Sequence, residues 1–506
     1  MTLTSSPVRE IERKYESRNG ADAISLSILD NLAGVGPGVV DRFRLTATYY
    51  DTESLALATA GVTLRRRTGG DDAGWHVKLP RGRDTRLELR LPLTATAHEV
   101  PAEFAELVRA LARRAPLVPV ARIETDRMRQ QLLDPGGQEL AEVVVDHVCG
   151  EDLRAGGRVR RWSEVEVEVE LGAGPPELLD VIERRLLGAR LRRSPAPSKL
   201  ARVLDATPDS GPALGAHPTA AEVVGAYVTT QIAAIVHHDI GIRRDEPDAV
   251  HRARVAIRRL RSTFRVFDGV LDRAATRPLD GELRWLGNEL GAARDVEVQR
   301  ERFAAIPPEL IVGPVTERVT AHFNRRQRAA ASCALAALDS ERYLRLLDAL
   351  DRLVAQPPTA VDAGRPAGEV LAGVVRHACA AVRRDLRAAA ARSTDADRDA
   401  ALHRARRAGK RARYAMEVAG LRHPHRVRRG AAVAARFQDL IGEYQDSVVA
   451  RAVLTELARE AEASGEPSFT YGRLYEREAA VTARIAPGLR GAWQEVEHAA
   501  RPLFQP

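Results

Sequence analysis

Two hydrophobic periodicities divide the chain. Between residues 8 and about 205, apolar and polar positions alternate in short runs, the two-residue period of strands that bury one face. The pattern predicts strands over 8–15, 45–50, 61–67, 75–79, 85–91, 123–133, 140–148 and 162–171. Gly69-Gly70-Asp71 and Pro135-Gly136-Gly137 are turn signals between them. Helical spacing is confined here to 102–114 and 176–187. From 220 to about 500 the period becomes that of helices, broken at Pro307-Pro308, 356–366, His423-Pro424, 464–467 and Pro487-Gly488. Residues 206–219, rich in Pro, Gly, Ala and Ser, have the composition of a linker. The expectation is an α+β multidomain protein: a strand domain over 7–205, a linker over 206–219 and a helical domain over 220–502.

The polar faces of these strands are charged. Glu10, Glu12 and Lys14 share one face of the first strand, and Glu164, Glu166, Glu168 and Glu170 share one face of the last, opposite Val165, Val167, Val169 and Leu171. Glu142 and Asp146 share a face, as do Arg127 and Arg129. An open sheet with one face in water gives such a pattern. So does a closed antiparallel barrel whose apolar side lies under helices and whose interior is a charged tunnel. The tunnel is favoured because charges segregate by strand, acidic on the first and last and basic on the middle ones, with few Ser, Thr or Gln among them. Carboxylates suit hard divalent cations, and lysine and arginine suit phosphoryl oxygens.

Composition adds bounds. A chain of 506 residues exceeds one core, and its net charge of +8 points to polyanionic partners. Three scattered cysteines without CxxC spacing indicate neither a disulfide framework nor a zinc site. No apolar run suits a membrane span and the first residues lack signal-peptide features, so a cytoplasmic location without membrane association is expected.

The run Glu10-Ile11-Glu12-Arg13-Lys14 resembles the ExExK signature of the CYTH superfamily, the triphosphate tunnel metalloenzymes. Further matches follow in family order: Tyr49-Tyr50-Asp51-Thr52, Leu64-Arg65-x-Arg67, Lys78, Arg86-x-Glu88, Arg122, Arg127, Asp146, the glutamate strand and Ser198-Lys199. The resemblance implies a closed antiparallel barrel with flanking helices that hydrolyses inorganic triphosphate to pyrophosphate and orthophosphate. It implies catalytic roles for Glu10, Glu12 and Lys14, and Mg²⁺ or Mn²⁺ held by Glu10, Glu12, Asp146, Glu166, Glu168 and Glu170. Phosphates would be bound by Arg65, Arg67, Lys78, Arg86, Arg122, Arg127 and Lys199. The last strand has one glutamate more than the family pattern, and the later three are assigned to metal. Thiamine triphosphatase, adenylyl cyclase and a non-enzymatic polyphosphate-binding protein are the alternatives.

The helical half repeats itself. Residues 250–261, VHRARVAIRRLR, match LHRARRAGKRAR at 402–413, and 285–298 match 437–449 at nearly constant offset, so two copies are expected over about 220–356 and 367–502. At about 100° per residue, His251, Arg254, Arg258, Arg261 and Arg265 form one basic stripe beside an apolar one. His403, Arg406, Lys410 and Arg413 repeat it. Like charges at these spacings repel, and no acid is interleaved to relieve them, which favours a bound polyanion over a solvated face. The histidines are either hydrogen-bonded helix residues or phosphate contacts. These helices resemble the CHAD domain, the conserved-histidine α-helical module. That resemblance implies two pseudo-symmetric four-helix bundles, inorganic polyphosphate bound by His251, Arg254, Arg258, Arg261, His403, Arg406, Lys410 and Arg413, and association with polyphosphate granules. Nucleic acid is disfavoured, because no aromatic residues are interleaved for base stacking.

Overall fold

The computed structural model describes residues 8–17, 26–29, 32, 34–82, 84–93, 99–154, 156–170, 177–206, 208, 211, 213–422 and 424–503. It divides into two compact units, 1–210 and 211–506.

In the first unit the described strands are β1 (Val8–Ser17), β2 (Gly36–Asp51), β3 (Thr63–Thr68), β4 (Gly74–Pro80), β5 (Thr85–Leu91), β6 (Val118–Leu133), β7 (Glu139–Asp152), β8 (Val159–Glu170) and β9 (Leu191–Arg193). They pair antiparallel in the order β5-β4-β3-β2-β6-β7-β8-β1-β9, and a β1–β5 pairing closes eight of them into a barrel. β1 does the closing: Val8 to Ile11 pair with β5, and Tyr15 to Ser17 pair with β9 along the same edge. Its other edge pairs with β8.

The alternation read from the sequence sorts the two faces. Val165 and Val167 of β8 point outward with Val143 and Val145 of β7, and α4 (Glu177–Gly188) covers them with Leu178, Ile182 and Leu186. Each such side chain contributes about 1.5–3 kcal/mol on full burial, so the valines fix which way the glutamates between them must point. After β2 the turn is set by buried Asp51, whose carboxylate accepts the backbone N–H groups of Thr52, Leu57 and Ala58 at 2.7–2.9 Å. That carboxylate caps the short α1 (Ala56–Thr59); α2 (Ala102–Leu107) and α3 (Arg109–Ala112) follow β5. Ser198 opens α5 (Lys199–Leu204) by accepting from the N–H of Ala201. Leu200 and Val203 of α5 pack on Ala121 and Ile123, while Lys199 reaches the barrel interior.

The second unit is helical: α6 (Ala220–Arg243), α7 (Ala249–Val266), α8 (Arg273–Glu289), α9 (Gly291–Ala304), α10 (Val315–Asp339), α11 (Glu341–Ala355), α12 (Ala367–Ala390), α13 (Asp395–Gly420), α14 (Pro424–Ala463), α15 (Phe469–Ile485) and α16 (Leu489–Ala500). A Thr219–Glu222 capping box starts α6. The apolar stripes sit as their periodicity predicts: Ala253, Ile257, Leu260 and Phe264 of α7 are buried, and so are Leu402, Ala405, Ala412 and Met416 of α13. α7 packs on α8 as α13 packs on α14, and α7 also meets α13. The copies differ in how their third helical stretch runs. The first breaks at Leu290 between α8 and α9, whereas the matching stretch of the second runs unbroken through the 40-residue α14. Among the described residues no helix is long and apolar enough to cross a membrane.

Candidate active site and the basic helix cluster

The barrel encloses a cavity of about 360 Å³, and strand parity decides what faces it. In the β1–β8 register Glu10 lies opposite Glu170, Glu12 opposite Glu168 and Lys14 opposite Glu166. Two rows of carboxylates therefore meet across one strand pair, an arrangement that repels unless cations intervene. Three lysines do so. Lys14 bonds Glu12 and Glu166; Lys78 of β4 bonds Glu10 and lies 3.8 Å from Glu12; Lys199 Nζ sits 2.9 Å from Asp146 and 2.8 Å from Glu164, and also bonds Glu166.

β3 and β6 supply a basic wall. Arg65, Arg67, Arg127 and Arg129 line the cavity with Arg86 of β5. Arg127 is held by Asp146, at 2.8 and 2.7 Å, and by Glu166 at 3.0 Å. Arg65 donates to the Tyr49 hydroxyl and to Glu88, both at 3.4 Å. Glu88 also meets His76 Nδ1 at 2.9 Å, and the His76 ring is buried.

Burial and charge tune these groups apart. Burial would raise Glu12, but Lys14 and Lys78 outweigh it and hold the carboxyl below its usual range. Glu10 goes the other way: burial, with Glu168, Glu12 and Glu88 adding to it, overcomes Lys78 and pushes its carboxyl up to about 7. Glu142 is likewise pushed up to about 7 by burial and Glu168. On the basic wall, burial and neighbouring Arg65 hold the Arg67 guanidinium below its ordinary range although Asp72 lies against it. The acidic side is thus short of cations and the basic side short of anions.

Carboxylate oxygens of Glu12, Glu166 and Glu168 lie within 4.8 Å of one another, and an all-oxygen donor set of this kind fits Mg²⁺ or Mn²⁺. Asp146, Glu164 and Glu166 make a second such group; Lys199 Nζ bonds all three of its members, whereas Lys14 bonds Glu12 and Glu166 of the first group and leaves Glu168.

Most residues expected from the sequence gather here: Glu10, Glu12, Lys14, Arg65, Arg67, Lys78, Arg86, Arg127, Glu166, Glu168 and Lys199 all line the cavity. Four assignments change or stop short. Arg122, expected to bind phosphate, is exposed on the outer face with Glu124 and Asp126, because it lies an odd number of residues from Arg127 on a regular strand. Asp146, expected to hold metal or to orient a basic residue, is fully buried behind the wall with both oxygens bonded to cations, the geometry of the orienting role toward Arg127 and Lys199. Lys199 faces carboxylates instead of the basic wall. Glu170 falls at the end of β8 in register with Glu10, and its side chain lies outside the described residues. Glu164, set aside in favour of the later three glutamates, is a Lys199 partner, and His76 was missed; its place two residues before Lys78 on β4 is the signal that puts it on the same face.

In the helical unit the two copies of the basic helix come together. Lys410 of α13 is mostly buried near Arg406 of its own helix and Arg258 and Arg254 of α7; burial first, then these arginines, push its ammonium down to about 7. The equivalent arginines have different partners: Arg254 donates to the Gly291 carbonyl at 3.0 Å, whereas Arg406 reaches the Asp446 carboxylate at 3.9 Å; His403 Nδ1 meets Gln445 at 3.2 Å. His251 is half-buried on α7. The expectation that no acid relieves the stripe is corrected: Asp446 stands against Arg406 and Lys410, and two further acids lie at the far end. Arg261 pairs with Asp280 at 2.8 Å, and Arg413 with Glu417 at 3.1 Å. Asp280 comes from α8, so a wheel of α7 alone could not reveal it. The concentrated charge is Arg254, Arg258, Arg406 and Lys410.

Comparison with known proteins agrees with both units. Residues 8–203 match the CYTH domain and residues 226–455 the CHAD domain. An uncharacterized protein of Mycobacterium tuberculosis (strain CDC 1551) is 39% identical, with 97% of each chain covered. Among solved structures, the CHAD domain from the plant Ricinus communis is 27% identical over 56% of this chain and 95% of its own, with a TM-score of 0.45. A Bacillus halodurans protein named as an adenylate cyclase is 18% identical over 39% of this chain and 97% of its own, with a TM-score of 0.27. The ordered charged strands of the barrel and the duplicated basic helices thus have their counterparts in two domain families, and the chain belongs to the proteins that join a CYTH domain to a CHAD domain.

Proposed function

We propose that the tunnel domain hydrolyses inorganic triphosphate with a divalent metal and that the helical domain binds inorganic polyphosphate. The observation that carries the first part is the opposition, inside one cavity of about 360 Å³, of the Glu10, Glu12, Glu166 and Glu168 carboxylates to the Arg65, Arg67 and Arg127 guanidinium groups. That volume is near the small end of ligand sites, roughly 300–1,000 Å³. Pure anion binding has no use for so many carboxylates on the same walls.

Glu12, Glu166 and Glu168, with Glu10 beside them, would hold Mg²⁺ or Mn²⁺. The ion when bound neutralises phosphate charge and lowers the pKa of a bound water. Everything else falls to the chain. Phosphoanhydride hydrolysis needs charge neutralisation and in-line alignment more than covalent help. Arg65, Arg67 and Arg127 would grip the non-bridging oxygens, with Arg127 kept in place by Asp146. Lys14 and Lys78 stand at the junction of the two walls and would neutralise the phosphate nearest the carboxylates.

The test is phosphate release from tripolyphosphate, ATP and thiamine triphosphate by the wild type and by Glu12→Gln, with and without Mg²⁺ or Mn²⁺. Metal-dependent turnover of tripolyphosphate that falls more than about 100-fold in the variant is expected. Equal turnover in both proteins, or none in the wild type, would sink the hydrolase reading; preference for ATP or thiamine triphosphate would redirect it to an organic substrate. For the helical domain, the supporting feature is the Lys410 cluster, four cations gathered from two helices.

A further inference from the structure

A cavity of about 950 Å³ opens in the helical unit at the C-terminal end of α7, between α8, α12 and α13. Its wall carries Arg265 from α7, Arg277 and Arg284 from α8, Arg384 from α12 and Arg411 from α13. It also carries three carboxylates, each already engaged by an arginine. Asp280 holds Arg261 and Arg265, Asp268 holds Arg273 at 3.3 Å, and Asp362 holds Arg365 at 2.9 Å. The positive charge of Arg277, Arg284, Arg384 and Arg411 is therefore in excess over the acids of the wall. Arg411 is the one drawn furthest inward. It is half-buried, and burial first, then Arg407, hold its guanidinium below the ordinary range; Asp385 opposes them and Arg265 adds a lesser effect in their favour.

This cavity shares its two helices with the Lys410 cluster. On α13, Lys410 and Arg411 are adjacent. On α7, Arg254 and Arg265 are eleven residues apart, which at about 1.5 Å per residue is roughly 16 Å of helix. Arg258 stands between them, and Arg261, held by Asp280, borders the cavity. A basic track thus leads from a cluster where two helices converge to a wider opening lined from four helices.

We propose that this cavity is a second phosphate-binding segment, filled by the continuation of an inorganic polyphosphate chain whose first part occupies Arg254, Arg258, Arg406 and Lys410. The inference rests on the polyphosphate reading of the helical domain and adds to it a basis for chain length. A linear polyanion without bases needs only cations spaced along its path, and its affinity grows with each phosphate neutralised. Once the first part is bound, the second binds intramolecularly, a gain of roughly 10²–10⁴ when the span fits. Tripolyphosphate is too short to reach both places.

The test uses the full chain with Arg277, Arg284, Arg384 and Arg411 replaced by alanine, its folding checked by its thermal melt. Affinities for tripolyphosphate and for long-chain polyphosphate are compared with the wild type, and any contribution of the tunnel is common to both proteins. The expected result is at least about tenfold weaker binding of the long chain with a shallower salt dependence, and unchanged binding of tripolyphosphate. Unchanged binding of the long chain overturns the inference, and so does an equal loss for both ligands. A parallel variant with Arg254→Ala and Lys410→Ala separates the two levels. If it loses long-chain binding while the four-arginine variant does not, the second segment is wrong and the polyphosphate reading stands; if neither loses it, both fail. Single-stranded RNA that weakens in step with polyphosphate would mark a nucleic-acid groove and also overturn the inference.

Discussion

Arg122 and Arg127 are matched by the same family pattern on the same strand, yet one faces solvent and the other the tunnel. Replacing Arg122 with alanine should leave tripolyphosphate turnover unchanged. Arg127→Ala should abolish most of it and lower stability by about 3–5 kcal/mol, because Asp146 would remain buried without its bidentate partner. Steady-state rates and denaturant melts of the two variants check this pair, and a loss in Arg122→Ala would refute the parity argument. That distinction was available in the sequence, since residues an odd number apart on a regular strand face opposite ways. The role of Lys199 was not, because three carboxylates far from it in sequence reach it only in the closed barrel. Lys410 carries the pH dependence. Its ammonium is depressed to about 7 in the free protein, and a bound polyanion would raise it. Binding then takes up a proton, so affinity for polyphosphate is fullest below about 7 and weakens as pH rises through that value. Lys410→Met should flatten this profile in titrations across pH 6–9. Without ligand the sign for stability is opposite to that of a raised group: the folded chain releases the proton more readily than the unfolded one, so stability falls as pH drops towards 7.

Elements were legible where one face is enough to define them. The apolar stripes of α7 and α13 and the inward rows of β1 and β8 follow directly from their periods. What a helix wheel cannot supply is the charge on the next helix, and Asp280 of α8 is why Arg261 proved neutralised. The second copy also has a close approach: a Cβ on Gly409 would stand 3.0 Å from Cε1 of Phe437 and 2.4 Å from Nε2 of Gln438 on α14. Gln438 can swing aside, but the Phe437 ring is buried. Gly409→Ala should therefore destabilise the helical unit by about 1–3 kcal/mol despite the better helix propensity of alanine. A melting temperature at or above that of the wild type would show that α13 and α14 are not packed this tightly.

At the scale of the whole molecule, the strands lie in the unit over 1–210 and the long helices in the unit over 211–506. The barrel's closure was favoured by the segregation of charge by strand and implied by the resemblance, but no local pattern says which strands become neighbours. Two units with separate cores should unfold in two transitions. A divalent metal that binds the Glu12, Glu166 and Glu168 group should raise only the transition of the barrel, and a chelator should reverse it. Calorimetry with and without Mn²⁺ tests this, and a metal-induced shift confined to the helical transition would count against the tunnel site.

β1 is the strand that closes the barrel and the strand that carries Glu10, Glu12 and Lys14. Its partners on β8 and β9 are more than 140 residues away. During synthesis this strand leaves the ribosome long before those partners exist, and it must wait with a charged face and an unpaired edge. Contacts of such high sequence separation form slowly, so barrel closure should be the late step of folding. The acidic side of the tunnel is completed in that one step: a chain caught before β1 docks lacks Glu10, Glu12 and Lys14 beside the glutamates of β8.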